Sequence, residues 1–231
     1  MKDAAIALLC ALGLICLTLG GLLTGLGVVF LDANRYTALM DELDVYPEVG
    51  IPREEQVLVN GDLAAYLAGK TDSLDRPVTL RGEAVASPFN EREKRHMEDV
   101  RRLFRAGLAA RAALLAVGAA CVVAGLTLGR RRARRFGALL ALCLFTAAGL
   151  LLAALLWRAD FNILFIRFHE LIFTNDLWLL DPATDAMIRM LPEPFFAGMA
   201  AQGGVAAAVG AAAAFLAGAL ILNLPGRKRK T

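Results

Sequence analysis

Long apolar runs alternate with polar segments along the chain. Residues 4–31, 112–129, 136–157 and 194–226 contain no charged side chain. About 20 apolar residues cross a bilayer as a helix, and a Lys or Arg at its centre costs roughly 2.5–3.5 kcal/mol. The pattern therefore predicts four transmembrane helices, at residues 1–31, 107–129, 136–157 and 204–224. The last run is longer than one span needs, so we expect its first part, residues 194–203, at the membrane interface.

The first polar segment, residues 32–106, has the turn residues and short periodic stretches of a small α+β cap. A short helix is predicted at residues 64–67, ending near Gly69. Residues 78–80 and 84–86 predict a β hairpin. From Asn90 onward, apolar residues recur at helical spacing and predict a helix that continues into the second span. These residues are Met97, Val100, Leu103 and Phe104.

Basic residues near the ends of the spans predict the orientation. Residues 130–135 hold five arginines and residues 225–231 hold four basic residues, which with Lys2 make ten basic residues against one acid. Because basic loops stay in the cytoplasm, we predict a cytoplasmic loop at 130–135 and a cytoplasmic tail at 225–231. The cap at 32–106 and a second segment at 158–203 are then extracytoplasmic.

Composition supports this interpretation. The 231 residues are 58% hydrophobic, above the roughly 45–50% typical of soluble domains. The predicted fold class is an all-α membrane protein with four transmembrane helices and a small α+β extracytoplasmic cap. Topology accounts for the basic runs, so no nucleic-acid partner is expected. The four cysteines, Cys10, Cys16, Cys121 and Cys143, all fall inside spans, where we interpret them as packing residues rather than disulfide or metal ligands.

The second outer segment and its borders are rich in aromatic residues. They hold eight of the 17 aromatic residues of the chain: Trp157, Phe161, Phe165, Phe168, Phe173, Trp178, Phe195 and Phe196. Such rings concentrate at bilayer interfaces, so one interpretation is an anchoring belt. The other is a pocket that binds acyl chains, and the two are compatible.

The chain has two histidines, His96 and His169, one in each outer segment. An ordinary histidine pKa of about 6.5 suits proton transfer near neutrality, although a single exposed histidine is more often a solvated surface residue. Glu93, one turn before His96, is expected to orient it. The sequence lacks the residues of other catalytic classes. No GxSxG motif or glycine-rich phosphate loop occurs, and Phe173 stands where an HExxH zinc motif would have its second histidine. Acid–base catalysis without a covalent intermediate remains, and it predicts that activity falls as the pH drops toward 5.

Two stretches resemble a known family. Residues 89–100 read F-x-x-x-E-x-x-H-M-x-D-V, and residues 168–182 read F-H-x-x-x-F-x-N-x-x-W-x-L-D-P. Residues 191–196 continue with L-P-x-x-F-F. Together they resemble the bacterial lipoprotein intramolecular transacylase (Lit) family of integral membrane proteins with four helices.

The resemblance implies an enzyme that moves the sn-2 acyl chain of a diacylglyceryl lipoprotein to the α-amino group of its own N-terminal cysteine. His96 and His169 would be catalytic, with no cofactor and no metal. Lipoproteins and membrane lipid would be the partners of a monomer in the bacterial cell membrane, with the active site on the extracytoplasmic side. We expect substrate binding by Phe89, Asn90, Glu93, Asp99, Phe161, Phe168, Phe173, Asn175 and Trp178. Asn90 and Asn175 would donate to the ester carbonyl.

Two alternatives remain open at the sequence level. One is a non-enzymatic envelope scaffold with four helices, and the other is a different lipid-modifying enzyme on the same scaffold. The two histidines constrain the type of reaction more than the substrate, so they do not separate the last alternative from a transacylase.

Overall fold

The computed structural model describes residues 2–156 and 160–224, without the side chains of residues 152–156. Nine helices and a two-stranded sheet are found in this part of the chain. They are α1 (Lys2–Phe30), α2 (Ala33–Leu43), α3 (Tyr46–Val49), α4 (Arg53–Leu67), β1 (Val78–Leu80), β2 (Glu83–Val85), α5 (Glu91–Leu128), α6 (Arg131–Leu156), α7 (Phe161–Ile172), α8 (Ala186–Met190) and α9 (Glu193–Asn223). Trp157 of the aromatic set and the predicted tail at 225–231 lie outside the described residues.

Within the described residues, four helices are long and apolar enough to cross a membrane: Lys2–Phe30, Glu91–Leu128, Arg131–Leu151 and Glu193–Asn223. The predicted mostly helical fold with four such helices and a small sheet is therefore confirmed. The amphipathic stretch after Asn90 and the second apolar run form the single 38-residue helix α5, as predicted. At about 1.5 Å per residue, α5 is roughly twice as long as the ~30 Å hydrocarbon core.

The chain divides into two compact units, and the first contains most of the apolar helices. Where the structure describes them, its residues are Met1–Leu26, Leu108–Ala159 and Gly204–Thr231. A Cβ atom at Gly21 would overlap the backbone of Gly210, and one at Gly25 would overlap the backbone of Ala206. Glycine at these two positions of α1 lets its backbone touch that of α9. The Gly21-x-x-x-Gly25 sequence therefore serves packing within the chain.

The cysteines differ in how they pack. Cys10 is fully buried in a cluster with Leu14 and Leu222, and Cys16 is buried as well. The prediction that the cysteines are packing residues is confirmed for these two. It is wrong for Cys143, which is exposed on α6. In the described part of the chain all four thiols are free.

The second unit comprises Gly27–Gly107 and Asp160–Gly203. It contains α2 to α4, the hairpin, α7, α8 and the first parts of α5 and α9. Helix α4 packs on α2 and buries Asn60, whose amide donates to the Thr37 hydroxyl at 3.1 Å and accepts from the Gln56 amide at 3.1 Å.

The buried hydrogen bond between the Gln56 and Asn60 amides explains why the predicted helix was too short. The sequence predicted a helix at 64–67 only, whereas α4 begins at Arg53, directly after Pro52. Asn60 and Gly61 resemble a helix boundary because both residue types favour turns. In α4 the hydrogen bonds of Asn60 satisfy its amide inside the helix, so α4 continues through it.

The predicted β hairpin is confirmed, with a tighter turn. Strands β1 and β2 are antiparallel, and Leu80 pairs with Glu83. The turn is therefore two residues, Arg81 and Gly82, instead of three. Both have positive φ angles, +52° and +86°, as a type I′ turn requires.

Candidate active site

The first turn of α5 is fixed by a reciprocal pair of hydrogen bonds. The Asn90 side chain accepts from the Glu93 backbone N–H at 3.0 Å, and the Glu93 carboxylate accepts from the Asn90 backbone N–H at 2.7 Å. This arrangement is a capping box, which satisfies two backbone donors that a helix start leaves open. It fixes where α5 begins, and so where His96 lies on the next turn.

Glu93 also joins α5 to α8. Its second oxygen accepts from the Met187 N–H at 2.6 Å, and the side chain is 1% exposed. Burial raises the pKa of Glu93 above its ordinary value, although the two backbone hydrogen bonds oppose the rise. The prediction that Glu93 orients the His96 ring directly is wrong, because in the described part of the chain its carboxylate bonds to the backbone N–H groups of Asn90 and Met187 and not to the imidazole.

His169 lies in the last turn of α7, a helix capped at its start by Asp160. The Asp160 carboxylate accepts from the N–H groups of Asn162 at 2.8 Å and Ile163 at 3.3 Å. One turn before His169, the Phe165 carbonyl oxygen lies 2.7 Å from Nδ1 of its ring. A carbonyl can only accept, so Nδ1 carries the proton and the lone pair of the neutral ring is on Nε2.

The two imidazole rings are neighbours. The ring centroids of His96 and His169 are 6.1 Å apart, with an angle of 35° between the planes. Phe173 lies beside both, 5.2 Å from the His96 centroid and 5.5 Å from that of His169. The rings of Phe165 and Trp178 pack against His169 at 4.2 Å and 5.0 Å. The two outer segments thus bring their histidines together.

The surroundings keep both imidazoles neutral. His96 is 7% exposed and His169 is 8% exposed. Burial lowers the pKa of His96 to about 4, with a further reduction from His169 and an opposing effect of Asp99. Burial also lowers the pKa of His169, against the hydrogen bond to Phe165. Nδ1 of His96 is buried and has no hydrogen-bond partner in the described part of the chain, so that ring can still pair with a ligand.

Both histidines line an apolar cavity of about 400 Å³ inside the second unit. Its wall includes side chains of α2, α4, α5, α7, α8 and α9. The apolar lining residues are Phe30, Tyr36, Leu63, Leu67, Met97, Val100, Leu103, Phe104, Phe161, Leu164, Phe165, Phe168, Phe173, Met187, Leu191, Phe195, Phe196, Met199 and Ala200. The two imidazoles are therefore the polar groups of an otherwise hydrophobic chamber.

Comparison with protein families identifies the chain. The family model described as lipoprotein intramolecular transacylase Lit matches residues 11–196. The chain belongs to this family. Members transfer acyl groups on lipoproteins, so the protein is an acyltransferase, and its four apolar helices make it a multi-pass membrane protein.

Solved structures have the same fold. The membrane integral lipoprotein intramolecular transacylase Lit from Bacillus cereus is 19% identical, with a TM-score of 0.71 and 95% of each chain covered. Structures of that protein with one histidine changed to arginine or to alanine give TM-scores of 0.68 and 0.69, again at 19% identity. They cover 95% of this chain and 91% and 93% of theirs. No protein with a curated description matches the chain.

In this Lit-family protein the predicted binding residues have different surroundings. Phe161, Phe168 and Phe173 line the apolar cavity. Asn90 does not, and its amide donates to the Asp185 carboxylate at 2.7 Å. Trp178 reaches His169 from outside the cavity lining.

Three further predicted residues lie away from that cavity. Phe89 is 4% exposed and lines neither cavity. Asp99 and Asn175 face a second, smaller cavity. Among the described residues, no three His, Cys, Asp or Glu side chains lie close enough to hold a metal ion.

Sequence reasoning missed part of the cavity wall. Tyr36 of α2, Leu63 and Leu67 of α4, and Met187 and Met199 line it but were not predicted. Each lies in a helix and has a largely apolar side chain, which in the sequence looks the same as any core residue of a helix. Whether such a residue lines a cavity or fills the core depends on how elements far apart in the sequence pack together.

Proposed function

We propose that the protein moves the sn-2 acyl chain of a diacylglyceryl lipoprotein to the α-amino group of its own N-terminal cysteine. The observation that supports this most strongly is the pair of neutral imidazoles, 6.1 Å apart, in the wall of an apolar cavity. The apolar cavity can hold an acyl chain. The two imidazoles can supply the base and the hydrogen-bond donor that ester aminolysis needs. The product is an N-acyl, lyso-glyceryl lipoprotein.

His169 is the proposed general base. Its Nδ1–H donates to the Phe165 carbonyl at 2.7 Å, so Nε2 is the atom that can accept a proton. The hydrogen bond also fixes the orientation of the ring, as the partner of a catalytic histidine does in a triad. Phe165, Phe173 and Trp178 hold the same ring from its sides.

His96 is the proposed donor to the oxyanion. With a pKa of about 4 it stays neutral at pH 7 and keeps one N–H for the developing negative charge. A neutral imidazole acts in this way as an electrophile in other enzymes. In a site with little water, such a donor stabilises the tetrahedral intermediate more than it would in solution.

The cavity is the proposed site for the migrating acyl chain. A volume of about 400 Å³ holds about 13 groups the size of a water molecule, each of about 30 Å³. A methylene group is similar in size, so the cavity has room for much of one acyl chain.

The proposed step balances without a covalent enzyme intermediate. The α-amino nitrogen attacks the ester carbonyl carbon, and its proton passes to Nε2 of His169. The carbon–oxygen bond to the glyceryl group then breaks, and the leaving oxygen takes a proton. Since the substrate ammonium becomes an amide, one proton is released to solvent. Amine and ester belong to one molecule, which raises their effective concentration.

We also propose that the site faces the extracytoplasmic side and is complete in a monomer. The five arginines at 130–135 support the orientation, because basic loops stay in the cytoplasm.

The test uses purified protein in detergent and a synthetic diacylglyceryl lipopeptide, with mass spectrometry of the product. Wild type is expected to give the N-acyl lyso form. His169→Ala and His96→Ala are expected to lose at least about 100-fold in rate, the usual contribution of general acid–base catalysis. Glu170→Ala, at an exposed position next to His169, is the control and should retain activity.

Three results would contradict the proposal. One is near-normal turnover by either histidine variant that still unfolds like wild type. Another is release of free fatty acid without N-acylation, which would indicate a different lipid-modifying enzyme. The third is no reaction by wild type, which would leave a scaffold as the remaining interpretation.

A further inference from the structure

A second cavity lies next to the imidazole pair. It has a volume of about 250 Å³ and is lined by Asp99, Arg102, Leu103, Ile172, Phe173, Thr174 and Asn175. Leu103 and Phe173 also line the apolar cavity, so the two cavities share part of their wall. The second cavity differs in having charged and polar groups in its lining, where a polar part of the substrate can bind.

Asp99 is the negative group of this cavity. It follows His96 by three residues in α5, which puts both on one face of the helix. Its carboxylate accepts from the Arg102 guanidinium at 2.7 Å and from the Asn175 amide at 2.8 Å. A carboxylate offers about four acceptor positions, so about two remain for a ligand.

The segment after α7 holds Asn175 in place. Its side-chain oxygen accepts from the Leu177 N–H at 3.0 Å, while its amide donates to Asp99. Asp99 is mostly buried, with its side chain 16% exposed. The carboxylate is thus fixed before a ligand arrives.

The acyl acceptor brings a positive charge to the site. An α-amino group has a pKa of about 7.7–8.0, so about nine tenths of it is ammonium at pH 7. An apolar cavity cannot hold that charge without a partner. Of the described residues that line the two cavities, Asp99 alone has a carboxylate. Glu93, the other acid one turn from His96, is 1% exposed and lines neither cavity.

We propose that Asp99, held by Asn175, binds the α-ammonium group of the lipoprotein cysteine in the second cavity. This subsite rests on the proposed function, because it takes the acceptor of that reaction. The acyl chain occupies the apolar cavity, and the ester lies between them at the imidazoles. A diacyl lipid without a primary amine lacks the ion pair and binds more weakly.

The same ion pair favours release of product. Before attack the ammonium releases one proton to solvent, and as the nitrogen then bonds to the carbonyl carbon its second proton passes to Nε2 of His169. The resulting amide carries no charge, so its attraction to Asp99 is lost. The enzyme therefore holds its substrate more tightly than its product.

The experiment measures binding without turnover. Two lipopeptides with an ether in place of the sn-2 ester are compared, one with an α-amine and one with an α-hydroxyl group. Wild type is expected to prefer the amine by about 10- to 100-fold, the range for one charge-assisted hydrogen bond. Asp99→Asn is expected to reduce that preference to within about twofold, with unchanged affinity for the hydroxyl analogue. Glu98→Gln, at the exposed neighbouring position on α5, should keep the preference.

Controls separate this subsite from the overall function. Turnover of the ester lipopeptide by wild type is measured in parallel, and its absence would overturn the proposed function. Turnover by wild type with an unchanged amine preference in Asp99→Asn would overturn only the subsite. A lower kcat and a shifted pH profile in Asp99→Asn, with the preference retained, would also overturn it, because Asp99 would then act through His96. Asp99→Glu, which keeps the charge, should restore part of the preference.

Discussion

At the residue scale, hydrogen-bond partners decide what each side chain of the site can do. Glu93 and Asp99 lie three residues before and after His96, and their spacing from it is identical. Glu93 accepts two backbone N–H groups and joins α5 to α8, whereas Asp99 faces a cavity. Likewise, the Phe165 carbonyl decides that Nε2 of His169 carries the lone pair.

The pH dependence follows from the lowered histidine pKa values. Ordinary histidines would become protonated as the pH falls toward 5, but His96 stays neutral to about pH 4 and the pKa of His169 is lowered too. The α-amine of the substrate then controls the profile. We expect kcat/KM to rise about tenfold per pH unit from about pH 6.5 to about 7.7–8.0 and to level off above.

Measurement of kcat/KM from pH 4.5 to 9 in detergent checks this. A limiting slope of one in log kcat/KM below pH 7 is expected, with an inflection that moves when the basicity of the substrate amine is changed. A slope of two below about pH 6.5 would mean that a histidine of ordinary pKa must also be deprotonated, which contradicts the structure.

At the element scale, local signals position the helices and close contacts join them. The capping box of Asn90 and Glu93 starts α5, and Asp160 starts α7. Within the first unit, Gly21 and Gly25 allow the backbones of α1 and α9 to touch. Where each of these helices starts depends on a few residues next to one another in the sequence. The contact between α1 and α9 depends on segments far apart in the sequence.

Substitution of two nearby glycines tests that contact. In Gly25→Ala the new Cβ would overlap the backbone of Ala206, and overpacking of this kind costs about 1–3 kcal/mol. In Gly27→Ala the new Cβ meets no atom within 4 Å, so alanine is expected to stabilise the helix by up to about 1 kcal/mol. Thermal unfolding in detergent should give a lower Tm for Gly25→Ala only. Equal effects of the two substitutions would refute the contact.

At the scale of the whole molecule, the distribution of charge predicts the orientation in the membrane. Ten basic residues and one acid border the predicted cytoplasmic side, and the opposite segments are acidic in sum. Such asymmetry orients a membrane protein because basic loops are retained in the cytoplasm.

Labelling of single cysteines tests that orientation. Ser73→Cys, in the cap, is expected to react with a membrane-impermeant maleimide in intact cells. Arg132→Cys, in the first turn of α6, should react only after the membrane is permeabilised. Both positions are exposed, and wild type, whose own cysteines lie in the predicted spans, is the background control. Labelling with the opposite pattern would invert the orientation and move the proposed site to the cytoplasm.

Much of the fold could be predicted because its signals are local or very strong. The four apolar helices, the continuation of α5 into the second apolar run and the hairpin are all present. The length of α4 was underestimated, since the hydrogen bonds that satisfy Asn60 come from Gln56 and from Thr37 on α2. A buried polar residue inside a helix is tolerated when residues close to it in space satisfy its hydrogen bonds, and the sequence alone does not show which residues those are.

The sequence by itself determined the four apolar helices, the two long polar segments between them and the residue types available for chemistry. An uncharged run of about 20 residues has one favourable environment, the bilayer, whatever the rest of the chain does. Only the tertiary structure decided that His96 and His169 are neighbours, that both are neutral, and that Asp99 rather than Glu93 faces a cavity. Burial, pKa and hydrogen-bond partners depend on groups far away in the chain, which packing alone brings together.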